Sequence, residues 1–504
     1  MKNKYILTID QGTTSTRAML FDHEGKVFFK AQQEVECLFP RSGWVEQNAL
    51  DLYLSVIYVI NDILLKTNLT YDDIDSVGIT NQRETTIIWE KETGMPVYNA
   101  IVWQSRQSAP ICEKWKKYED KVHEKTGLII NPYFSASKIR FILDNIEDGQ
   151  ERAEKGELMF GTVDTRIMYK LSNRKIFKTD VTNVSRTMLF NINTLDYDEE
   201  LLKLFNIPRC MLPEVCPSSY TFGVASALNE NLKICGVAGD QQAALFGQNC
   251  FKKGESKNTY GTGCFMLMNT GDKPIISKHG LITTIAWKVK DEICYALEGS
   301  VFIGGASIQW LRDEMRMIKD AAESEKYAAK VHSTHGVYVV PAFVGLGAPY
   351  WDDECRGAVF GLTRSSSKEH FIRATLNSIA LQTKDVIRIM EKECHTKIYT
   401  LKVDGGATQN NYLMQFQSDI LKKNVLLPTC LETTSLGVCY LAGLENRFWK
   451  SLDEIRSIHK YQKEFSPNME DDEIKEIDKK WKLAIKATRV FKWYHVKRTQ
   501  RKRN

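Results

Sequence analysis

Several patterns that identify common protein classes are missing from this 504-residue chain. It contains no GxxxxGK[ST] loop, no GxGxxG fingerprint, no HExxH sequence and no HRD/DFG pair. P-loop nucleotidases, Rossmann dehydrogenases, zincins and protein kinases are therefore disfavoured. The 12 cysteines never form a CxxC pair, which argues against a zinc ribbon or a disulfide scaffold and favours reduced, packed thiols.

Membrane and secretion signals are also lacking. The longest apolar stretch, residues 50–65, is interrupted by four polar residues and is too polar to cross a bilayer. The opening residues, MKNKYILTID, have no long apolar core and no small-residue cleavage site, unlike a secretory signal. We therefore expect a cytoplasmic protein without a membrane span.

A large charge imbalance is absent as well. The formal net charge is +5, from 68 basic and 63 acidic residues, and five basic residues lie in the last eight positions. Without this tail, residues 497–504, the two signs balance, so the total charge predicts no nucleic-acid partner. For the tail itself we favour a solvated end over a membrane or nucleic-acid anchor.

The sequence does alternate predicted strands with predicted helices, which is typical of an α/β fold. Short apolar runs separated by polar turns predict strands near the N-terminus, and residues 52–65 have a helical period. Strand, Gly/Thr turn and strand recur at residues 257–268, followed by a predicted hairpin at residues 269–272. Two such units predict two related domains that face each other, residues 1–250 and 251–504.

Two helices of the second half have recognisable signals. Ser366 and Glu369 have the spacing of a capping box, which predicts that a long helix begins there. A last helix is predicted over residues 472–494, because apolar residues recur at helical spacing. Its predicted buried stripe comprises Ile474, Ile477, Trp481, Ile485 and Phe491.

The segment DQGTTSTR, residues 10–17, is a candidate phosphate-binding turn. Its glycine permits a tight turn, and its hydroxyl groups and main-chain amides can surround an anion. The aspartate at position 10 is suited to hold Mg²⁺ through water. An ordinary hairpin turn is the alternative. The candidate phosphate ligands are Thr13, Thr14, Ser15 and Arg17.

Two segments of the second half match this chemistry. Thr262 lies between two glycines and offers the same kind of hydrogen-bond donors from the opposite side. Taken alone, such a segment is more often an ordinary turn. Gly405 and Gly406 follow a predicted strand and leave room for a ribose or a flat ring, and Asn410 is suited to hydrogen-bond a purine. A triphosphate held between two domains needs donors on both.

Two further strand ends have candidate substrate residues. Asp240 follows an apolar strand and is a candidate general base that accepts a proton from an alcohol, with a helix cap as the alternative. Arg83 and Glu84 together suit the adjacent hydroxyls of a polyol, with a surface ion pair as the alternative. Trp103 and Tyr133 are suited to pack on the C–H face of a polyol, although an aromatic residue judged singly is more often part of a core.

Ten ordered stretches resemble the FGGY carbohydrate kinases, over nearly the whole chain to about residue 490. They are DQGTTSTRA at 10–18, GITNQRETTIIWEKETG at 78–94, NAIVWQSR at 99–106, GTVDT at 161–165, SRTMLFNI at 185–192, GVAGDQQAALFGQ at 236–248, NTYGTGCFMLMNTG at 258–271, GASIQWLRDEM at 305–315, VVPAFVGLGAPYW at 339–351 and VDGGATQNN at 403–411.

The resemblance implies two actin-like, ribonuclease-H-like ATPase domains flanking a central cleft that holds ATP and Mg²⁺. It implies transfer of the γ-phosphoryl group of ATP to glycerol, which gives ADP and sn-glycerol 3-phosphate, and a homodimer or larger homo-oligomer. Asp240 would be the general base, with Asp10 and Asp240 next to the metal ion. The implied glycerol residues are Arg83, Glu84, Trp103, Tyr133, Asp240, Gln241 and Phe265. The implied nucleotide residues are Thr13, Thr14, Ser15, Arg17, Thr262, Gly305, Gln309, Gly406 and Asn410.

One segment departs from the family pattern. Some bacterial members have a Gly-Gly…Arg loop that binds fructose 1,6-bisphosphate, whereas residues 225–231 here, ASALNEN, lack those residues, so we expect this inhibition to be absent. Two alternative functions remain, an actin-like or chaperone-like ATPase and a kinase for a larger sugar. The first has no reason to assemble Arg83 and Glu84 with Asp240 and Gln241.

Overall fold

The computed structural model describes residues 4–352 and 354–491. Its largest element is a sheet of thirteen strands that runs through the molecule. In chain order these strands are β1 (Tyr5–Gln11), β2 (Ser15–Phe21), β3 (Val27–Glu34), β4 (Ile74–Asn81), β5 (Ser219–Val224), β6 (Lys233–Gly239), β7 (Ser256–Tyr260), β8 (Cys264–Gly271), β9 (Ile282–Val289), β10 (Glu292–Val301), β11 (Thr400–Asp404), β12 (Asn424–Pro428) and β13 (Tyr461–Phe465).

Helices cover this sheet and fill the connections between strands. They are α1 (Ala49–Thr67), α2 (Ala109–Trp115), α3 (Glu119–Thr126), α4 (Ser135–Asn145), α5 (Gly149–Glu154), α6 (Val163–Leu171), α7 (Val181–Val184), α8 (Glu199–Phe205), α9 (Asp240–Gly247), α10 (Ala306–Asp313), α11 (Glu323–Ala329), α12 (Lys368–Cys394), α13 (Asn411–Leu421), α14 (Thr433–Glu445), α15 (Leu452–Ile458) and α16 (Asp471–Val490). Five small strand pairs lie outside the sheet: Glu46–Gln47 with Ala100–Ile101, Ile87–Glu90 with Leu158–Gly161, Lys178–Asp180 with Glu214–Cys216, Phe190–Asn191 with Asp196–Tyr197, and Tyr338–Val340 with Ala358–Phe360.

The sheet contains the same five-strand arrangement twice. In the first half the order is β3-β2-β1-β4-β6, with β1, β2 and β3 antiparallel and β4 and β6 parallel to β1. In the second half the order is β10-β8-β7-β11-β12, with the same pattern of directions. This repeated topology confirms the α/β class and the relation between the two units that the two turns predict.

Strand β5 joins the two units, because it pairs with β6 on one side and with β9 through Ser219 and Val289 on the other. The two units also exchange helices. Helix α9 follows β6 and α14 follows β12, so the two helices occupy equivalent positions in the repeat. They cross at short range, since a Cβ added at Gly437 would lie 1.8 Å from the Ala243 oxygen, and one at Gly247 would lie 2.0 Å from the Thr433 oxygen.

Each of these two helices covers the sheet of the other unit. From α14, Leu436 and Tyr440 pack in one buried cluster with Ile6 and Phe21 of the first unit. From α9, Phe246 packs edge-on against Trp287 of β9, with ring centroids 5.3 Å apart. One buried cluster therefore contains residues of both units.

The helical period predicted for residues 52–65 is confirmed by α1. The side chain of Asn48 accepts a hydrogen bond from the Leu50 N–H at the start of this helix, which satisfies a free amide. Its apolar face is buried as predicted, through Leu52, Val56, Val59, Ile60 and Ile63. No helix in the described ranges is long and apolar enough to cross a membrane.

Three local predictions were wrong. The hairpin at residues 269–272 does not form, because β8 continues to Gly271 and keeps pairing with β10 through a bulge. The capping box lies one residue later, where Ser367 and His370 bond to each other's main chain. Phe491, which was expected in the buried stripe, is 68% exposed and follows the end of α16 at Val490. The rest of that predicted helix, residues 492–494, and the basic tail 497–504 lie outside the described residues.

Candidate functional site

Three adjacent parallel strands bring polar residues to one edge of the first unit. Strands β1, β4 and β6 end at Gln11, Asn81 and Gly239, which are aligned in register. Because the carboxyl ends of parallel strands meet at one edge, Asp10, the residues after β4 and Asp240 converge there. The Gln82 N–H donates to the Gln11 oxygen at 2.7 Å, which fixes the chain leaving β4 beside the turn after β1.

Arg83 is the centre of this edge. Its side chain is 2% exposed, and its Nε lies 3.2 Å from Asp240 Oδ1. The two terminal nitrogens donate to both carboxylate oxygens of Glu298, at 2.6 and 2.9 Å, and one also donates to the Gln242 side chain at 3.1 Å. The surface ion pair considered for Arg83 and Glu84 is therefore wrong, because both side chains are buried.

A second arginine completes a buried cluster of two arginines and two glutamates, which we call the ion cluster: Arg83, Glu84, Arg186 and Glu298. Arg186 Nε donates to Glu84 at 2.6 Å, and Arg186 also donates to Glu298 at 3.2 Å. Burial favours a neutral Glu298, but the two guanidinium groups outweigh it and lower the pKa of Glu298 to about 2. Two positive and two negative groups thus neutralise each other inside the protein.

Glu84 has an unusual main-chain conformation. Its φ is +60°, a region that non-glycine residues rarely adopt. The Glu84 carbonyl oxygen accepts hydrogen bonds from Ser135 Oγ at 3.1 Å and from Lys138 Nζ at 3.3 Å, and Lys138 also donates to the Tyr133 oxygen. These contacts hold the strained segment in place and connect it with the helix that follows Tyr133. Burial lowers the pKa of Lys138 to about 7.

Two aromatic residues connect the arginine with the candidate phosphate turn. The Tyr133 hydroxyl lies 3.4 Å from Arg83, and its ring meets Trp103 edge-on with centroids 5.6 Å apart. The Trp103 indole N–H then donates to Thr13 Oγ1 at 2.9 Å. The structure therefore brings the predicted acceptor residues and the predicted phosphate turn into one connected site.

Asp240 is the first residue of α9, and its carboxylate is 33% exposed. The helix cap considered for it is not what forms, since Gly239 occupies the capping position, although Asp240 Oδ1 accepts from the Gln241 N–H at 2.7 Å. Burial, together with the charge of Asp240, raises the pKa of Asp10 to about 7 although Arg17 opposes this. The negative charge of Asp240 thus disfavours an ionised Asp10, and a cation held by both carboxylates would offset this effect.

The other phosphate candidates lie around the turn between β1 and β2. Thr14 is exposed and Ser15 begins β2. Arg17 lies within β2, donates to Gln32 at 3.1 Å and remains 40% exposed, with Glu432 3.5 Å away. In the described part of the chain no group of three or more His, Cys, Asp or Glu side chains is arranged as a metal site.

The predicted nucleotide residues of the second unit lie at the matching strand ends. Thr262 is exposed in the turn after β7, and the Gly305 N–H donates to the Gly261 oxygen of that turn at 2.9 Å. Gln309 is exposed on α10, and Gly406 follows β11, where an added Cβ would meet nothing within 4 Å. Asn410 is buried and its side chain caps α13, while its amide nitrogen donates to Ser324 at 3.1 Å.

The remaining two predicted glycerol residues differ in their contacts. Gln241 follows Asp240 and accepts a hydrogen bond from Lys257 Nζ at 2.6 Å, a contact between the first unit and β7 of the second. Burial lowers the pKa of Lys257 to about 8. Phe265 is half-buried on β8, opposite Ser300.

Sequence reasoning missed four charged residues at this site: Lys138, Arg186, Lys257 and Glu298. Lys138 lies in α4, Lys257 in β7, Glu298 in β10 and Arg186 in the connection after α7. None stands within a glycine-rich turn or just after the carboxyl end of a strand, so local patterns gave no signal for them. The residue type itself is a usable signal. A charged residue within an otherwise apolar strand such as β10 is rarely buried unless it is paired, so its position predicts an ion pair.

Models of known families match most of the chain. The N-terminal domain of the FGGY family of carbohydrate kinases matches residues 5–247, and the C-terminal domain of that family matches residues 256–445. Among curated relatives, a glycerol kinase of Halalkalibacterium halodurans is 56% identical over 497 residues, which is 98% of this chain and 100% of that protein. A glycerol kinase of Listeria monocytogenes is 54% identical over the same shares.

Solved structures agree with these matches. The crystal structure of Plasmodium falciparum glycerol kinase with ADP is similar with a TM-score of 0.91 and 36% identity, covering 96% of this chain and 98% of that one. A gluconate kinase of Lactobacillus acidophilus is similar with a TM-score of 0.86 and 21% identity, covering 96% of this chain and 97% of that one. At this level of identity the similarity supports only a common fold.

Proposed function

Because the chain belongs to the FGGY family of carbohydrate kinases, we propose that it transfers the γ-phosphoryl group of ATP to glycerol, which gives sn-glycerol 3-phosphate and ADP. The observation that carries the assignment of residues is the connected path from Asp240 through Arg83, Tyr133 and Trp103 to Thr13. Phosphoryl transfer needs both substrates to be held next to each other, and these contacts place the proposed acceptor residues beside the proposed phosphate turn.

In this proposal one terminal hydroxyl of glycerol faces Asp240, while Arg83 and Glu84 bind the other two. Asp240 accepts the proton of the attacking hydroxyl as the oxygen bonds to the γ-phosphorus and the bond to the β-phosphate oxygen breaks. Arg83 holds Asp240 in position through its Nε contact of 3.2 Å. The hydroxyl groups and amides after β1 and β7, together with Arg17, stabilise charge on the transferring group.

Asp10 and Asp240 would hold Mg²⁺, consistent with their mutual repulsion. The ion would neutralise charge on the nucleotide phosphates when bound. Thr262, Gly305, Gln309 and Gly406 are proposed to line the nucleotide. The side-chain oxygen of Asn410 caps α13 and one hydrogen of its amide nitrogen is donated to Ser324, so we propose that the second amide hydrogen contacts the purine.

The test of the reaction is ADP release measured with and without glycerol, followed by a panel of larger polyols and sugars. We expect release to depend on glycerol and to fall sharply for the larger acceptors. A rate indifferent to glycerol would instead favour an ATPase, and faster release with a pentulose or gluconate would favour a kinase for a larger sugar.

The test of the general base is Asp240→Asn, with the exposed Asp196→Asn as the matched control. We expect kcat to fall by about 10²–10⁴ for Asp240→Asn while nucleotide binding remains, since general base catalysis contributes that range. A normal kcat of Asp240→Asn would show that Asp240 is not the general base.

A further inference from the structure

The C-terminal 26 residues differ in charge from the rest of the chain. Residues 479–504 contain 11 Lys and Arg and no Asp or Glu, whereas residues 1–478 contain 57 basic and 63 acidic residues. The asymmetry is much larger than the basic tail alone indicates, because five of the 11 cations lie on α16 before the tail begins. Such a segment is attracted to an anionic partner, and the overall charge of +5 conceals it.

The structure shows that α16 has two different sides. Its inner side, which includes Ile474, Trp481 and Ile485, is buried in the core of the second unit. Its outer side has an apolar stripe at positions 483, 487 and 490, where Leu483 is 59% and Val490 is 77% exposed. These positions are spaced i, i+4 and i+7, so they form one line along the helix.

A basic stripe runs beside the apolar one. Lys482, Lys486 and Arg489 have the same i, i+4, i+7 spacing and line an open groove of about 500 Å³ with Tyr350 and Asp352. Arg489 is held there by Asp352, 3.2 Å away. Within the described ranges Lys482 and Lys486 have no ion-pair partner, and both are exposed.

We propose that this outer face of α16 binds the surface of a bilayer that contains anionic lipids. A helix with parallel basic and apolar stripes fits the interface, since its cations meet headgroups while its apolar residues enter the acyl boundary. Phe491 is 68% exposed directly after the end of the helix. Aromatic residues are enriched at membrane interfaces. A nucleic acid would use the cations but not the exposed apolar stripe.

The binding is peripheral and extends the kinase reaction rather than replacing it. The face lies on α16, whereas the proposed acceptor residues follow β4 and β6 of the first unit. The protein therefore stays active while bound.

The experiment is cosedimentation of the full-length protein with vesicles of phosphatidylcholine alone or mixed with phosphatidylserine. We expect sedimentation with the mixed vesicles, little with the neutral ones, and release at high salt because surface charges are then screened. One cation near an anionic surface contributes about fivefold to the binding constant, so Lys482→Gln/Lys486→Gln should weaken binding about 30-fold. The matched control is Lys203→Gln/Lys233→Gln, two exposed lysines of the first unit, which should bind like the unchanged protein.

A second variant, Leu483→Ser/Val490→Ser, tests the apolar stripe and should make the remaining binding fully reversible by salt. Glycerol phosphorylation by every variant checks that it is folded. Equal binding to both kinds of vesicle, no binding, equal loss in the control variant, or tighter binding to a DNA duplex than to the mixed vesicles would each overturn the proposal. So would pelleting without vesicles, which would indicate association with a second copy.

Discussion

Glu298 is the residue on which the charge balance of the ion cluster depends. It accepts from both arginines, and it comes from β10 of the second unit while Arg83 comes from the first. Removing one partner of a buried pair leaves the other charge without compensation. A single carboxylate therefore stabilises the fold and holds in place the arginine that we assign to glycerol.

We predict that Glu298→Gln lowers the free energy of unfolding by about 3–5 kcal/mol and raises KM for glycerol more than KM for ATP. Urea denaturation and steady-state kinetics measure both. The control is Glu200→Gln, an exposed partner of Lys121, which should change little because surface pairs contribute little. Equal effects of the two substitutions would contradict the role of the ion cluster.

Asp10 gives the stability a dependence on pH. Its pKa is raised to about 7 from 3.8, so between those values the folded protein holds a proton that the unfolded chain has lost. The free energy of unfolding therefore falls as pH rises from about 4 towards 7. Above the pKa of the folded protein the whole of this loss is present.

We predict that Asp10→Asn gains stability relative to the unchanged protein as pH rises from 5 to 8, since it removes this cost, and that it loses activity because the proposed metal contact is gone. Denaturation at several pH values measures the first effect, and titration of activity with Mg²⁺ measures the second. A stability difference that does not vary with pH would show that Asp10 does not titrate in this range.

A glycine or a strand end in the sequence gives a local signal for some of the candidate site residues. Asp240 and Arg83 were singled out because each follows a predicted strand, and the structure brings them within 3.2 Å. Arg186 and Glu298 were not, because their partners lie more than 100 residues away in sequence. A pairing over that distance depends on the tertiary fold, which no local pattern describes.

At the scale of elements, the crossing of α9 and α14 requires glycine. A Cβ at Gly437 would lie 1.8 Å from a main-chain oxygen of α9, so the two helices would have to separate. Helix α9 begins with Asp240, and its displacement would move the proposed base.

We predict that Gly437→Ala lowers stability by at least about 1–3 kcal/mol, as overpacking does, and lowers kcat as well. The control is Gly406→Ala, which has free space around the new Cβ and should leave stability unchanged while it raises KM for ATP. Thermal unfolding and kinetics of both variants separate the two effects. A stable, fully active Gly437→Ala would mean that the crossing is more tolerant than its geometry indicates.

Element predictions were most successful for periodic segments and least for boundaries. Helix α1 matched its predicted face because five apolar residues recur at helical spacing. The hairpin at residues 269–272 failed because turn-forming residues can also form a bulge within a strand, and the sheet partner decides between the two.

At the scale of the whole molecule, each unit has a buried cluster of its own, and a further cluster contains residues of both units. The pair of turns predicted their relation, but nothing in the sequence indicated that each unit lends a helix to the other. The residues of α14 that cover β1 and β2 have the same apolar character as residues that would cover their own sheet. The boundary at residue 250 between two domains therefore stays a prediction. We expect that neither half of the chain is stable when it is expressed alone.

We predict a single cooperative unfolding transition in urea, at the same midpoint by fluorescence and by loss of kinase activity. Residues 1–250 expressed alone should be insoluble, and coexpression with residues 251–504 should restore soluble, active protein. Two separated transitions, or a soluble folded fragment, would contradict the role of the cluster that contains residues of both units.

The exchanged helix also has a consequence for biosynthesis. The first unit is complete at α9, which ends at Gly247, but the helix that covers it begins at Thr433. The ribosome needs about 10–40 s to add these roughly 190 residues at about 5–20 residues per second. During that interval the part of the nascent first unit that α14 covers stays exposed, so we expect chaperones that bind nascent chains to assist its maturation.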